Sequence, residues 1–370
     1  MGTKLQCSRV LLCPRNGMFI HHPTWPFQGM RTAFGSRSMT SPIKLLGASL
    51  LLGTALTQPA LAQPASAGPT FYGRAHLSLE AVDEGEGVYT EVQDNASRLG
   101  VNGELQFNDD WKGLYQVEYE VPFDGSGRGE GSNLRQRDTY VGVANERLGQ
   151  LLMGRMITPF KSSEGKIDQF NDERGDVEFI TPNQNRADNI LIYQTPVYRG
   201  LMGSIGYVAQ AAPDTEAGVS TELTWDIEGY YAALAYDRNV DAQATQAARL
   251  ALATAQGPVF VGLILERYEL DAGSGGNALI VSAAYDLTEH WRGKLQYGAG
   301  QLHPVSEGDA PGRLGLRDDQ YMNLGVDYIW TPALRLLGFY SHHESTAPIA
   351  DFDEVDSDFV GLGVEFRFSS

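Results

Sequence analysis

Cysteine is nearly absent from this chain: two in 370 residues, Cys7 and Cys13, both close to the start. A region that folds without them has no disulfide staple and no thiolate metal site. Long apolar runs are missing too. The best candidate, Leu45–Leu56, is shorter than the ~20 residues a membrane-spanning helix requires. Positive charge is scarce, with 28 Lys and Arg against 46 Asp and Glu and a formal net charge of −18. That sign disfavours a nucleic-acid partner, whose phosphates need a basic footprint. From Thr70 onward no stretch sustains a convincing helical period. The composition therefore excludes a helical bundle, a disulfide scaffold and a basic nucleic-acid-binding domain.

The charge is unevenly placed. Residues 1–62 hold six basic residues (Lys4, Arg9, Arg15, Arg31, Arg37, Lys44) and no acid, which leaves 22 basic against 46 acidic residues, a net of −24. Lys44 precedes the apolar run, and Ala60-Leu61-Ala62 supplies the small-x-small pattern of a cleavage site. The expected organisation is an upstream extension over 1–38 ahead of Met39, a signal peptide over 39–62, and one folded domain over 63–370.

What that domain contains is alternation. Tyr115, Val117, Tyr119, Val121 and Phe123 fall on one side of an extended strand, with Gln116, Glu118 and Glu120 on the other. Val360, Leu362, Val364, Phe366 and Phe368 alternate likewise with Gly361, Gly363, Glu365 and Arg367. Sixteen such runs can be read, near 70–82, 96–107, 111–123, 135–144, 149–157, 186–195, 201–211, 219–226, 230–239, 246–255, 258–270, 277–287, 291–302, 319–330, 333–343 and 357–368. The Ala-rich run 246–255 reads equally well as a short helix. Short links follow even-numbered strands, as at Asn108-Asp109-Asp110 and Thr331-Pro332, whereas long ones (83–95, 124–134, 158–185, 303–318, 344–356) follow odd-numbered strands. A soluble sandwich has no reason to sort its loops this way. The pattern predicts an all-β fold, a sixteen-stranded antiparallel transmembrane β-barrel with short inner turns and long outer loops. Trp111, Phe123, Trp291, Trp330 and Phe368 stand where interfacial aromatic girdles belong.

Several segments resemble the general diffusion porins of the Gram-negative outer membrane, a family of trimeric sixteen-stranded barrels. They are Phe71-Tyr72-Gly73-Arg74, Ser97 to Gly103, Arg137 to Val143, Leu148-Gly149 with Met153-Gly154-Arg155, Arg186 to Pro196, and the closing Val364 to Phe368. The resemblance implies passive passage of ions and small hydrophilic solutes, a homotrimer, contact with outer-membrane lipid and lipopolysaccharide, and no cofactor. It also implies that the third loop, about 158–185, folds inward to form a constriction. Its acids would be Asp168 and Asp172 with Glu173 and Asp176 nearby, facing a basic wall of Arg74, Arg98, Arg137 and Arg186. Asn171-Asp-Glu-Arg-Gly175 departs from the family's Pro-Glu-Phe-Gly-Gly, and Arg174 is placed to salt-bridge within the loop. The chain closes on Phe368-Ser369-Ser370 instead of the usual aromatic. Facing rows of opposite charge set up a transverse field that orients dipolar solutes and biases ion type. The net charge of −24 favours cations, and the arginines pull the other way. A substrate-specific sugar or anion channel and a secreted soluble β-rich binding protein are the alternative readings.

Other signals are set aside. His342-His343 and the acidic run Asp351 to Asp358 lack the ligand order of a calcium loop. Gly125 to Gly131 breaks the dinucleotide fingerprint. His76 and His303 are isolated, and no nucleophile–base pair marks an enzyme.

Overall fold

The computed structural model describes residues 68–125, 134–210, 212, 216–240, 244–270, 275–301, 304–306, 314–316, 319–345 and 356–370. The extension, the signal peptide, the glycine-rich loop 126–131, His303 and Asp351 to Val355 lie outside the described residues. The chain divides into two units, Met1–Leu61 and Ala62–Ser370, and the second holds every element described here.

Sixteen strands make the barrel: β1 Thr70–Asp83, β2 Tyr89–Asp94 continued by Arg98–Gln106, β3 Trp111–Glu120, β4 Arg135–Asn145, β5 Gly149–Ile157, β6 Arg186–Gln194, β7 Leu201–Val208, β8 Gly218–Ile227, β9 Tyr230–Arg238, β10 Ala244–Gln256, β11 Val259–Leu270, β12 Gly275–Asp286, β13 Trp291–Gly300, β14 Asp319–Thr331, β15 Leu334–Ser345 and β16 Asp356–Ser369. Each pairs antiparallel with its sequence neighbour, and β1 pairs with β16 from Tyr72↔Ser369 to Asp83↔Asp358, closing the sheet. Closure is required in hydrocarbon, where an open edge leaves backbone groups unpaired at several kcal/mol each. A small hairpin, Pro304–Ser306 with Leu314–Leu316, stands apart from the barrel sheet. No helix among the described residues is long and apolar enough to cross a membrane.

The second strand begins earlier than the alternation shows. Its first part, Tyr89–Asp94, takes up nearly half of the loop expected over 83–95, and the strand breaks at Asn95-Ala96-Ser97, where Ala96 has φ 54°. The break is held by the Ser97 hydroxyl, which accepts from the His76 amide at 2.9 Å, and by the Asn95 amide, which donates to Ser78 at 3.0 Å. A bulge escapes pattern reading because it interrupts the period of two.

The apolar faces point outward. Val117, Tyr119, Val360, Leu362, Val364, Phe366 and Phe368 are all exposed, as are Trp111, Phe123, Trp291 and Trp330 near strand ends. The opposite face is polar and buried, with Arg74, Glu80, Arg98, Glu118, Arg137, Arg249, Glu266, Lys294, Gln296 and Asp327 on it. That arrangement suits a lipid outside and a wet inside, and is the inverse of a soluble sandwich.

Apolar packing on the polar side occurs where the segment after β5 lies against the wall. Ile167, Val177 and Ile180 pack with Ala233, Ala251, Ile264, Ile280 and Tyr321, and Phe160 packs with Ala235, Ala247 and Tyr268. The alanines of β9 and β10 leave the room these side chains fill. That is why residues 246–255 are Ala-rich while forming a strand. At the far end Phe170 meets Val82, Leu337, Phe339 and Phe359.

Candidate functional site: the third loop and its charged walls

The segment from Thr158 to Asn185 starts with a one-turn helix, Pro159–Ser162, capped by the Thr158 hydroxyl accepting from the Lys161 amide at 3.1 Å. It runs across β8 to β15 and returns through a 3₁₀ turn, Val177–Phe179. Polar ties accompany the apolar ones. The Phe160 amide donates to Ser220 at 3.0 Å, the Tyr231 hydroxyl to the Ser163 carbonyl at 2.8 Å, and the Gln169 amide to Gln296 at 2.9 Å. Gly175 allows close approach to β14, since a Cβ there would lie 2.3 Å from the Asn323 amide nitrogen.

The four loop acids have different roles. Asp172 alone of the four pairs with the arginine row: its Oδ2 lies 2.8 Å from Arg74 and 3.6 Å from Arg98. Its backbone is left-handed, φ 64°, which Asp tolerates better than most residues and which turns the carboxylate towards β1 and β2. Asp168 joins the two limbs of the loop, accepting from the amides of Phe170 at 2.9 Å and Val177 at 3.2 Å and from Gln296 at 3.0 Å. Asp176 caps the 3₁₀ turn through the Glu178 amide at 2.8 Å and holds the Asp172 amide at 2.7 Å. Glu173 turns to the opposite wall, 2.9 Å from Lys294 and 3.2 Å from Arg335.

On the basic wall, Arg74 and Arg98 reach Asp172, and the other two arginines meet acids of the wall itself. Arg137 binds Glu118 at 2.8 Å and Glu120 at 3.1 Å, and Arg186 binds Asp138 at 2.7 Å. A bulge opposite Glu118 makes this possible. Val117 pairs with Thr139 and Tyr119 with Gln136, so Arg137 and Asp138 both bring side chains to the polar face. Arg174 does not pair within its loop. It binds Glu80 at 2.7 Å and also Glu91, tying the tip to β1 and β2. Sequence reading missed Lys294 and Arg335, which with Glu173, Asp327 and Glu365 form a second charged knot. The available signal was alternation on β13, where Arg292, Lys294 and Gln296 share the face opposite Trp291 and Leu295.

The electrostatics separate the loop acids further. Burial works against the charge of Asp172, but Arg74, Arg98 and Arg137 outweigh it and hold the carboxyl far below the usual range. Burial, with Asp176 and Glu164 close by, pushes Asp168 well up. Asp176 rises through burial, and Glu178 is pushed up to about 7 by Asp176 and then by burial. Among the described residues no cluster of His, Cys, Asp and Glu is arranged to hold a metal ion. His343 is buried against Phe179, ring centroids 4.1 Å apart, and His342 meets Asp358 at 3.0 Å. His76 lies 2.9 Å from an Arg74 nitrogen and 3.9 Å from Glu173.

Comparison with known proteins agrees with this architecture. The anion-selective porin from Comamonas acidovorans superposes with a TM-score of 0.64 at 17% identity, covering 81% of this chain and 99% of that one. The Salmonella typhi OmpF complex with daunomycin gives 0.66 at 16% identity, covering 81% and 97%. By sequence, an outer membrane porin protein of Bordetella pertussis is 27% identical over 170 residues, 41% of this chain and 44% of its own length. The major outer membrane protein P.IA of Neisseria meningitidis is 28% identical over 124 residues, 33% of this chain and 30% of its own length. The chain thus spans less than half the length of these curated relatives. The family model for Gram-negative porins matches residues 48–369, nearly the whole chain, and with the closed sixteen-stranded barrel and its outward apolar face this places the protein in the Gram-negative porin family of the outer membrane.

Proposed function

We propose that the protein is a passive diffusion channel, a homotrimer in which ions and small hydrophilic solutes pass through a lumen narrowed by residues 158–185. The observation that carries this reading is the pair of contacts from Asp172 to Arg74 and Arg98, which brings the loop tip and the basic wall to one level of the barrel. Arg98, Arg137 and Arg186 would border the remaining path on one side, with Asp172, Asp176 and Glu178 on the other. Pairing of Arg137 and Arg186 with Glu118, Glu120 and Asp138 offsets much of the wall's positive charge, which supports weak cation preference over anion selectivity. A catalytic role has no support in this arrangement: charges are paired across walls, and the serine hydroxyl held beside a histidine, Ser341 at 2.8 Å from His343, is fully buried. Protein purified from outer membranes and placed in a planar bilayer under a salt gradient should open stepwise and close in threes, with a reversal potential of cation sign. A folded protein that never conducts would overturn the proposal.

The same reading predicts a pH dependence. A carboxyl raised to about 7 takes up a proton as the pH falls through that value, so Glu178 loses its charge there while Asp172 keeps its own. Cation preference should decline as the pH drops through about 7 and then level off. Glu178→Gln should flatten that step, and an unchanged step in this variant would remove Glu178 from the path.

A further inference from the structure

Behind the contact of Arg74 with Asp172 stands a histidine with no part in the charge pairing described above. Arg74 Nη2 lies among three acceptors: His76 Nδ1 at 2.9 Å, the Asn95 carbonyl at 2.6 Å and Asp172 Oδ2 at 2.8 Å. A terminal guanidinium nitrogen has hydrogens for only a pair of them. His76 and Asn95 take both, and Asp172 Oδ2, although buried, receives no hydrogen bond among the described residues. Arg74 and Asp172 therefore meet charge against charge, without a shared hydrogen.

His76 is fully buried, two residues along β1 from Arg74 and on the same face. Arginine only donates, so Nδ1 accepts and the ring proton sits on Nε2. Nε2 has no hydrogen bond among the described residues and faces Glu173 Oε1 at 3.9 Å. The imidazole thus turns its acceptor end to a cation and its donor end towards an anion, and both charges hold it in that orientation. Glu173 is fixed in turn by Lys294 and Arg335. The backbone is clamped by the interruption in β2. Ser97 Oγ accepts from the His76 amide at 2.9 Å and donates to its carbonyl at 3.3 Å, and the Asn95 amide donates to that carbonyl at 2.8 Å.

We propose that His76 is a positioning residue for ion selectivity: it takes an Arg74 hydrogen that would otherwise go to Asp172, and so keeps that carboxylate out of a hydrogen-bonded salt bridge. The inference rests on the diffusion-channel reading, in which Asp172 borders the path. Without the Nδ1 acceptor, the freed hydrogen turns onto Asp172 Oδ2, which is already within reach. A charge-assisted hydrogen bond then neutralises the carboxylate more completely, and passing cations feel less of it.

The test compares His76→Leu and His76→Asn with the wild-type protein in planar bilayers under a KCl gradient. Melting temperatures in detergent and crystal structures are obtained from the same preparations. Leucine nearly keeps the volume and lacks the acceptor, whereas the asparagine oxygen lies where Nδ1 does and can accept from Arg74. His76→Leu should lower the cation-to-anion permeability ratio about twofold, ~0.4 kcal/mol. His76→Asn should keep the wild-type ratio, even where its melting temperature falls. A packing role predicts the reverse order, because asparagine leaves the larger hollow. The crystal structure of His76→Leu should show the Arg74 guanidinium turned in line with Asp172, and that of His76→Asn should show it in its wild-type place. Unchanged reversal potentials in both variants, or a ratio that follows melting temperature, would overturn the role of His76 and leave the channel standing. A wild-type protein that never conducts would defeat the channel reading. The Arg74 position in His76→Leu would then decide the histidine's role alone, and an unmoved guanidinium would overturn it.

Discussion

Asp172→Asn is expected to move the reversal potential under a KCl gradient towards the anion side more than replacement of any other loop acid. The side chain lies between Arg74 and Arg98, so its loss removes one negative charge and also exposes two guanidiniums. A unit charge about 4 Å from an ion is worth about 1 kcal/mol even at the dielectric of water, which corresponds to roughly a fivefold change in the cation-to-anion permeability ratio. Asp168→Asn should move that ratio much less, because Asp168 accepts from two loop amides and Gln296 and has no contact with the arginines. Equal shifts from the two variants would mean that overall loop charge, and not the position of Asp172, sets selectivity. Asn suits the left-handed backbone at 172 as well as Asp does, so the loop path should survive the change.

Arg249→Met should produce the largest loss of stability among single changes behind the loop. Arg249 and Glu266 are fully buried, joined at 2.8 Å and 2.7 Å, and the guanidinium also reaches the Phe160 carbonyl at 3.3 Å and stacks over the Phe160 ring at 4.3 Å. Removing one partner of a buried pair leaves the other charge unpaired, a cost of about 3–5 kcal/mol. Glu164, 4.0 Å from Arg249, would add to that unpaired charge. The readout is a lower unfolding temperature in detergent together with noisier single-channel current, because this pair ties the start of the loop to β10 and β11. The double change Arg249→Met with Glu266→Gln should recover much of the stability, since Glu266 then carries no charge to leave unpaired and Glu164 loses only the longer 4.0 Å contact. A wild-type melting temperature in the single variant would show that water or ions reach Glu266.

The two predictions rest on features of very different legibility. All sixteen strands could be read from the chain, because lipid on one side and water on the other impose a period of two that each strand carries locally. The outward rows Val117 with Tyr119 and Val360 to Phe368 were visible in that way. Residues 246–255 were ambiguous because Ala247, Ala251 and Ala253 face a loop distant in sequence, and the interruption at Asn95-Ala96-Ser97 hid the first part of β2.

What the sequence by itself determined was the barrel, its strand count, its lipid-facing rows and the alternation of short and long links. These follow from side-chain periodicity and hydrophobicity, both properties of neighbouring residues. Only the tertiary structure decided which charge meets which. Arg174 reaches Glu80 across 94 residues of sequence, Lys294 reaches Glu173 across 121, and Arg335 reaches Glu173 across 162. Such pairs depend on where closure brings distant strands and on how a left-handed residue turns the loop tip. A string of acids cannot show which one faces the arginines, because each finds its partner only after the barrel has closed around it.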